Sequence, residues 1–411
     1  MNALTVYLHS EPVGTLEQDA SGLLQFTYLP AWLESRDAHP LSRMLPLSPD
    51  TYENKYARPF FAGILPEEGP RQRICQILGI SEGNDFAMLE RIGGECAGAV
   101  SLLPEGQKPL RTENRKRALD QKELISIIQA LPRRPLMAGE EGIRLSLAGA
   151  QNKLPVVMEG ETIALPLGNT PSTHIIKPEP EHFPGLVANE AFCMQLAQRV
   201  GLSAADAKAR IIGGTPCIVV TRYDREATDA GVVRLHQEDF CQALGRPPER
   251  KYQQEGGPTV KDCVALLREW STTPVLDILG FIDALILNLL IGNADAHGKN
   301  FSMIYAGGTR RLAPLYDLVP TVAWPDLSTR LAMGIGHGKN INDLNTAHFK
   351  RMAEECRLGW PMVRERIHDL TSRTLQAIDT IKNPLPESAA VLPSITDSIK
   401  HRCQVLPRTP R

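Results

Sequence analysis

Residues 291–302 read IGNADAHGKNFS, and this stretch decides the fold. Asp295 and Asn300 stand five positions apart in it, directly after the apolar run ILGFIDALILNLLIG of residues 278–292. A phosphoryl-transfer site needs a carboxylate that takes or orients the proton of the incoming hydroxyl. It also needs an oxygen ligand for a divalent cation a few residues along the same loop. Five residues of loop let one segment present both groups to a single reacting phosphate. An apolar helix feeding that loop anchors it rigidly, and small misplacements there cost rate steeply. Taken singly, an Asp or Asn in a loop is only a turn former or helix cap.

Working downstream, the segment PLYDL of residues 314–318 holds Asp317 among Leu315, Tyr316 and Leu318. A carboxylate between large apolar residues is costly to bury unless something binds it. Mg²⁺ bridging two phosphates is such a partner, since it takes hard oxygen donors. Asn300 and Asp317 are therefore the expected metal ligands and Asp295 the expected catalytic base. The three together outweigh the turn-former reading of each. His297, between Asp295 and Asn300, fits either a hydrogen bond to the metal-binding loop or phosphate, or a structural histidine. Lys299, beside Asn300, joins the expected nucleotide contacts.

Upstream, residues 143–153 read IRLSLAGAQNK, a strand, a small-residue turn at Ala148, Gly149 and Ala150, and a second strand. Small residues let backbone N–H groups approach phosphate oxygens. With Gln151 and Lys153 the turn is a candidate nucleotide cradle, although it matches neither the Walker pattern nor a three-glycine loop. A plain hairpin turn has the same sequence. Lys177 ends the segment THIIK of residues 173–177, whose two isoleucines predict a buried strand. Its ammonium then faces a fixed anion, with Glu190, near the start of a predicted helix over 187–200, holding it in place. A surface lysine and a surface glutamate fit the bare pattern equally. Residues 217–221, CIVVT, predict another buried strand, leading to a hinge at Thr221 and Tyr223 where an adenine would pack.

Further out, strands are predicted over 4–8, 13–16 and 23–28 and helices over 71–78 and 85–91. The stretch 103–120 carries Lys108, Arg111, Arg115, Lys116 and Arg117 and reads as a solvated linker. A helix over 121–131 follows, then strands over 144–147, 153–158, 162–165 and 174–177. Gly201 is the expected cap of the 187–200 helix. Strands over 209–212 and 217–221 come next, and from residue 237 the pattern is mostly helical. The tail after Pro384 is Pro-rich. This order predicts an α+β chain with a two-lobed protein-kinase-like, or phosphoinositide-kinase-like, fold. Residues 1–105 form a small N-terminal α/β module, 106–225 an N-lobe with nucleotide loop and hinge, and 226–411 a mostly helical C-lobe carrying the catalytic and metal-binding loops.

Composition narrows the setting. Lys and Arg number 45 and Asp and Glu 47, a net charge of −2, so there is no bulk attraction for nucleic acid or anionic lipid. No two of the eight cysteines lie within four residues of each other, which excludes a local zinc knuckle and points to buried, reduced thiols. The run 278–292 is broken by Asp283 and Asn288 and falls short of the about 20 apolar residues that span a bilayer. The N-terminal MNALTVYLHSEPVG meets Glu11 and Pro12 too early for a signal peptide. A soluble, cytoplasmic protein without a membrane partner is the expectation.

These pieces in this order resemble the HipA family of bacterial toxin kinases over nearly the whole chain. The matching segments are FFAGILPE (60–67), GAVSLLPE (98–105), RLSLAGAQNK (144–153), THIIK, the pair Asn189 and Glu190, TRYDR (221–225), QEDFCQALG (237–245), NADAHGKNFS (293–302) and PLYDL. The resemblance implies a serine/threonine protein kinase using ATP and Mg²⁺, with an N-terminal module that helps bind a small DNA-binding antitoxin of the HipB type. Operator DNA is then reached through that partner, without a helix-turn-helix in this chain. The implied substrate is a translation protein, aminoacyl-tRNA synthetases being the best-known class. Carried over by position, Lys177 is the ATP lysine, Asp295 the base, and Asn300 and Asp317 the Mg²⁺ ligands. Ser146 takes the position that becomes autophosphorylated. A phosphate there adds about −1.5 to −2 of charge beside the ATP phosphates, which would expel the loop and switch the enzyme off. Two rivals share the pattern. One is a lipid or small-molecule kinase of the same fold, although no basic amphipathic segment suits a lipid surface. The other is a catalytically silent co-repressor in an antitoxin–DNA complex, against which the presence of Lys177, Asp295, Asn300 and Asp317 argues.

Overall fold

The structure is a computed structural model that describes residues 3–109, 115–229, 231–382, 385 and 391–407. Its first sheet starts from the opening strand, Ala3–Leu8, where Leu4, Val6 and Leu8 fill the core and Tyr7 is buried on the other face. That strand pairs antiparallel with Glu11–Gln18, which pairs with Leu24–Tyr28. The other edge of the opening strand is taken by Val100–Pro104, about a hundred residues on, with helices Asn54–Gly63, Glu68–Leu78 and Asp85–Ile92 between them in the chain.

A second sheet of six antiparallel strands carries the middle of the chain. Its order across the sheet is Lys116–Ala118, Thr162–Pro166, Leu154–Glu159, His174–Pro178, Thr215–Thr221 and Ala207–Ile212. Lys177 sits opposite Ile218 on a central pair of strands. Helix Leu186–Arg199 follows and ends at Val200, after which Gly201 takes the left-handed conformation (φ +81°) that closes a helix without steric cost.

The last third is built around helix Pro274–Ile291. By length and composition this helix could cross a membrane, yet most of it is buried by helices such as Val260–Trp270, Trp360–Ala377 and Leu392–Val405. It stops at Gly292 (φ +83°), where a Cβ would come within 2.4 Å of Val322 Cγ2, so only glycine makes this exit into the 293–302 loop. A small sheet of His236–Asp239, Ser302–Ala306 and Thr309–Leu312 then ties the QEDF segment to the end of that loop.

Two apolar cores result. One runs without interruption from the N-terminal sheet into the six-stranded sheet, and the other fills the helical part together with helix Leu186–Arg199. All eight cysteines are buried and unpaired.

Two local expectations need correction. Residues 144–147 are extended but form no strand. Leu145 makes only a bridge to Glu95, because the neighbours of this segment are loops of the N-terminal module rather than a partner strand. The basic stretch ends as the edge strand Lys116–Ala118, with Arg117 paired to Glu123 at 3.0 Å and Glu140 at 2.9 Å; Arg111 lies outside the described residues. Pro384 is also outside them; the tail beyond it contains helix Leu392–Val405, in keeping with the mostly helical pattern expected from residue 237, with Pro393 in the first turn where its missing N–H costs nothing.

Candidate active site

The two cores meet along a cleft with a cavity of about 340 Å³. Three loops with different origins converge on it. The 293–302 loop leaves the C-terminal end of the buried helix and is held in shape by asparagines. Asn293 Nδ2 donates to Asn288 Oδ1 at 2.8 Å, and the Asp295 N–H donates to Asn293 Oδ1 at 3.0 Å. Asn300 Oδ1 accepts from the His297 N–H at 3.0 Å. The Tyr316 hydroxyl donates to the Lys299 carbonyl at 2.6 Å and meets Ser302 Oγ at 2.8 Å, which pins the 314–318 segment to the same loop.

At the centre, Lys177 Nζ donates to Glu190 Oε1 at 2.8 Å and to Asp317 Oδ1 at 2.9 Å. The second oxygen of Asp317 accepts from Asn300 Nδ2 at 3.0 Å. Burial alone would weaken the Lys177 ammonium, but the carboxylates of Asp317 and Glu190 more than reverse this and hold it charged. In return the Lys177 charge, against burial, holds the Asp317 carboxyl down to about 2. Burial raises the Glu190 carboxyl against the pull of Lys177. Asp317 adopts φ +59°, a left-handed backbone that costs a non-glycine residue about 1–2 kcal/mol. The Lys177 and Asn300 bonds hold it there.

Asp295 opens into the cleft beside this cluster. The surrounding protein pushes its carboxyl up to about 6, with the Tyr252 hydroxyl and Lys251 pulling the other way. Burial lowers the His297 imidazole to about 4, so it is neutral near pH 7, and its ring packs edge-on against Tyr252 with centroids 5.4 Å apart. Its Nδ1 is buried without a hydrogen-bond partner. Lys299 is tied down within the cavity wall, donating to Asp239 Oδ2 at 2.8 Å and the Gly63 carbonyl at 2.9 Å.

The 147–153 turn forms the roof. Gly149 has φ +108°, and a Cβ there would lie 2.6 Å from Lys153 Nζ, which caps the turn by donating to the Ala148 carbonyl. Burial lowers the Lys153 ammonium to about 8, with neighbouring Lys177 acting in the same direction. Gln151 Nε2 reaches the Pro178 carbonyl at 3.4 Å. Thr221 and Tyr223 line the far end, where the rings of Tyr223 and Tyr316 stack at 5.6 Å. Thus Ala148, Gly149, Ala150, Gln151, Lys153, Lys177, Glu190, Thr221, Tyr223, Asp295, His297, Lys299, Asn300 and Asp317 share one cavity. Ser146 does not. It is fully buried behind the turn, where its hydroxyl donates to the Ile64 carbonyl at 2.9 Å.

The donor set suits a phosphorylated ligand with a hard cation. Among the described residues no cluster of three or more His, Cys, Asp or Glu could hold a metal alone. Two side-chain oxygens on Asn300 and Asp317 suit Mg²⁺ only if phosphate oxygens and water complete the shell, which is how Mg²⁺ is usually held. The unpartnered Glu190 Oε2 and His297 Nδ1, both buried, mark polar capacity in the cavity wall that the protein itself does not use.

The model of the HipA-like C-terminal domain matches residues 145–378, and that of the HipA N-terminal domain matches residues 4–103. The chain belongs to the HipA family. It is 45% identical to a putative kinase of Sinorhizobium fredii, over 99% of both chains. It is 30% identical to the serine/threonine-protein kinase toxin HipA of Shewanella oneidensis, over 93% of this chain and 90% of that one. The solved structure of Shewanella oneidensis HipA with HipB and its operator DNA superposes with a TM-score of 0.86 at 29% identity, covering 98% of this chain and 96% of that chain. This HipA-family chain is accordingly similar to kinases along its full length.

Sequence reasoning missed several members of the site. Glu67, from the N-terminal module, accepts from Lys251 Nζ at 3.0 Å and lies 3.6 Å from Lys299 Nζ. Burial would raise its carboxyl, but Lys299 and Lys251 hold it below the ordinary range. Lys251, Tyr252, Asp239 and Tyr316 were missed as well. The only signals were that Glu67 ends FFAGILPE, Asp239 lies in QEDF and Tyr316 in PLYDL. Lys251 and Tyr252 lie in a polar loop with no periodicity to mark them.

Proposed function

We propose that this chain is an ATP- and Mg²⁺-dependent serine/threonine protein kinase that acts as a growth-arresting toxin and is restrained by a small DNA-binding partner of the HipB type. The observation that carries this is the Glu190–Lys177–Asp317–Asn300 chain of hydrogen bonds in the same cavity as Asp295. Lys177 is the residue that would hold the α- and β-phosphates, with N–H groups of the 148–150 turn above them. Asn300 and Asp317 would hold Mg²⁺, which when bound neutralises charge on the transferring phosphate. Asp295 accepts the proton of the attacking hydroxyl. The bond from that oxygen to the γ-phosphorus forms as the bond to the β–γ bridging oxygen breaks, and ADP leaves. General-base help of this kind is worth about 10²- to 10⁴-fold.

The likeness to the Shewanella oneidensis complex supports a HipB-type partner and, through it, operator DNA. A translation protein, an aminoacyl-tRNA synthetase among others, is the proposed target class. Ser146 is the proposed site of inhibitory autophosphorylation. In the present conformation it is buried, so modification requires residues 144–150 to leave the cleft. Incubation with γ-labelled ATP and Mg²⁺ tests the reading. Wild-type protein labels itself at Ser146 and Asp295→Ala does not; label in the Asp295→Ala protein removes Asp295 from its role, and no label in either rejects the kinase.

A further inference from the structure

The Asp295 carboxylate stands at the junction of two cavities. The one described above lies on the Lys177 side. The second, about 520 Å³, also touches Ala150, Lys251, Asp295, Asn300 and Asp317 and extends past them to Phe183, Trp324, Leu327 and Leu331. One stretch of its wall is apolar and only half covered, while Glu68, Gln254, Glu255 and Arg330 supply polar lining elsewhere. Phe183 and Trp324 meet edge to face with centroids 5.6 Å apart, and Leu327 and Leu331 continue the surface. Partly exposed aromatic and aliphatic side chains gathered in one concave surface mark a binding site rather than a solvated face.

The wall is also fixed relative to the catalytic carboxylate. Hydrogen bonds tie the segment that carries Trp324, Leu327 and Leu331 to the loop that carries Asp295. The Ala294 N–H donates to Thr321 Oγ1 at 2.9 Å, the Val322 N–H to the Gly292 carbonyl at 3.2 Å, and the Ala332 N–H to the Ala294 carbonyl at 2.8 Å. A group seated against Trp324 is therefore held at a set offset from Asp295, as positioning of a reactant requires.

We infer that this second cavity is the acceptor groove, and that it selects an extended protein segment with a large apolar side chain one or two residues from the accepting Ser or Thr. The inference rests on the kinase reading above and adds to it the chemistry of the substrate. An extended chain advances about 3.3 Å per residue, so a side chain one or two residues from a hydroxyl at Asp295 lies roughly 3–7 Å along the cavity that Asp295 shares with Phe183 and Trp324. The hydroxyl proton passes to Asp295, its oxygen bonds to the γ-phosphorus, and ADP departs through the first cavity.

A positional-scanning library of synthetic peptides, each with one fixed Ser or Thr, tests this with γ-labelled ATP. The wild-type protein should favour Leu, Met, Phe or Trp at one position within two residues of the acceptor by about tenfold, the discrimination that a modest apolar pocket provides. Trp324→Ala and Phe183→Ala should flatten that preference while ATP affinity and thermal unfolding stay unchanged. Trp324→Leu, which keeps an apolar surface, should retain most of it. Labelling without an apolar preference, a preference unchanged in both alanine proteins, or no labelling of any peptide by protein that labels itself overturns the groove assignment alone. Failure to label either itself or any peptide overturns the kinase reading instead.

Discussion

The hydroxyl of Ser146 donates to the carbonyl of Ile64 at 2.9 Å, which places the roof of the cleft under the control of the N-terminal module. The same segment is held on both sides. The Ser146 N–H donates to the Glu95 carbonyl at 2.8 Å, and the Glu67 N–H to the Gly149 carbonyl at 3.2 Å. The turn over the cavity is thus clamped between residues 64–67 and 95 rather than free to swing as a hairpin. Ser146→Ala removes one buried hydrogen bond and should cost about 1 kcal/mol, read by chemical denaturation. Ser146→Asp puts a charge where no cation waits and should displace the turn, abolishing nucleotide binding in a calorimetric titration.

Lys177 is held by two carboxylates that otherwise repel each other across the cleft. Lys177→Met should abolish phosphoryl transfer. It should also destabilise the protein by about 3–5 kcal/mol, because Glu190 is then buried without its partner. Lys177→Met, Glu190→Gln should recover part of the stability and none of the activity, which separates the structural from the chemical contribution.

Activity should rise with pH through about 6, where Asp295 titrates. Below that value the carboxyl carries a proton and cannot accept another; above it the base is free. The stability contribution has the opposite sense. Because the folded-state value lies above the ordinary Asp value of 3.8, folding favours the protonated form, and the charge works against the native state most fully above pH about 6. Asp295→Asn should therefore be inactive yet melt at a higher temperature at pH 8, with the gain fading towards pH 4.

Removing divalent cations with EDTA should stop transfer, and Mg²⁺ should restore it. Asp317→Asn should lower kcat by about 10²-fold or more at any Mg²⁺ concentration. Asn300→Ala should instead raise the Mg²⁺ concentration needed for half-maximal rate, since one oxygen ligand of two is lost. A metal titration of initial rates distinguishes the pair.

Glu95 is wholly buried and accepts from Arg222 at 3.1 Å, Arg225 at 2.7 Å and the Ser172 N–H at 3.0 Å. Asp224 completes the hub by accepting from the Gly98 N–H at 2.7 Å. This network fastens the N-terminal module to the strand that leads into Tyr223. Glu95→Ala leaves buried guanidinium groups uncompensated and should cost about 3–5 kcal/mol, seen as a lower melting temperature and faster proteolysis of the first hundred residues.

The sequence alone determined the elements whose signals are local. A continuous apolar run marked the buried helix over 278–292, short apolar segments between turn residues marked the strands at 4–8 and 174–177, and the spacing of Asp295, Asn300 and Asp317 grouped three residues that line one cavity. Local rules misread residues 144–147, because alternation in RLSL specifies an extended backbone but not the partner that would make it a strand. They were silent on the hairpin of Arg225–Thr228 and Gly231–Arg234, whose exposed residues carry little pattern. What the tertiary structure decided is which distant groups meet. Glu67 of the first module reaches Lys251 and Lys299, 184 and 232 positions further on, and Tyr316 locks onto Lys299. Those pairings depend on how two apolar cores pack across a cleft, and burial then sets the charge each group carries, which no short window of residues encodes.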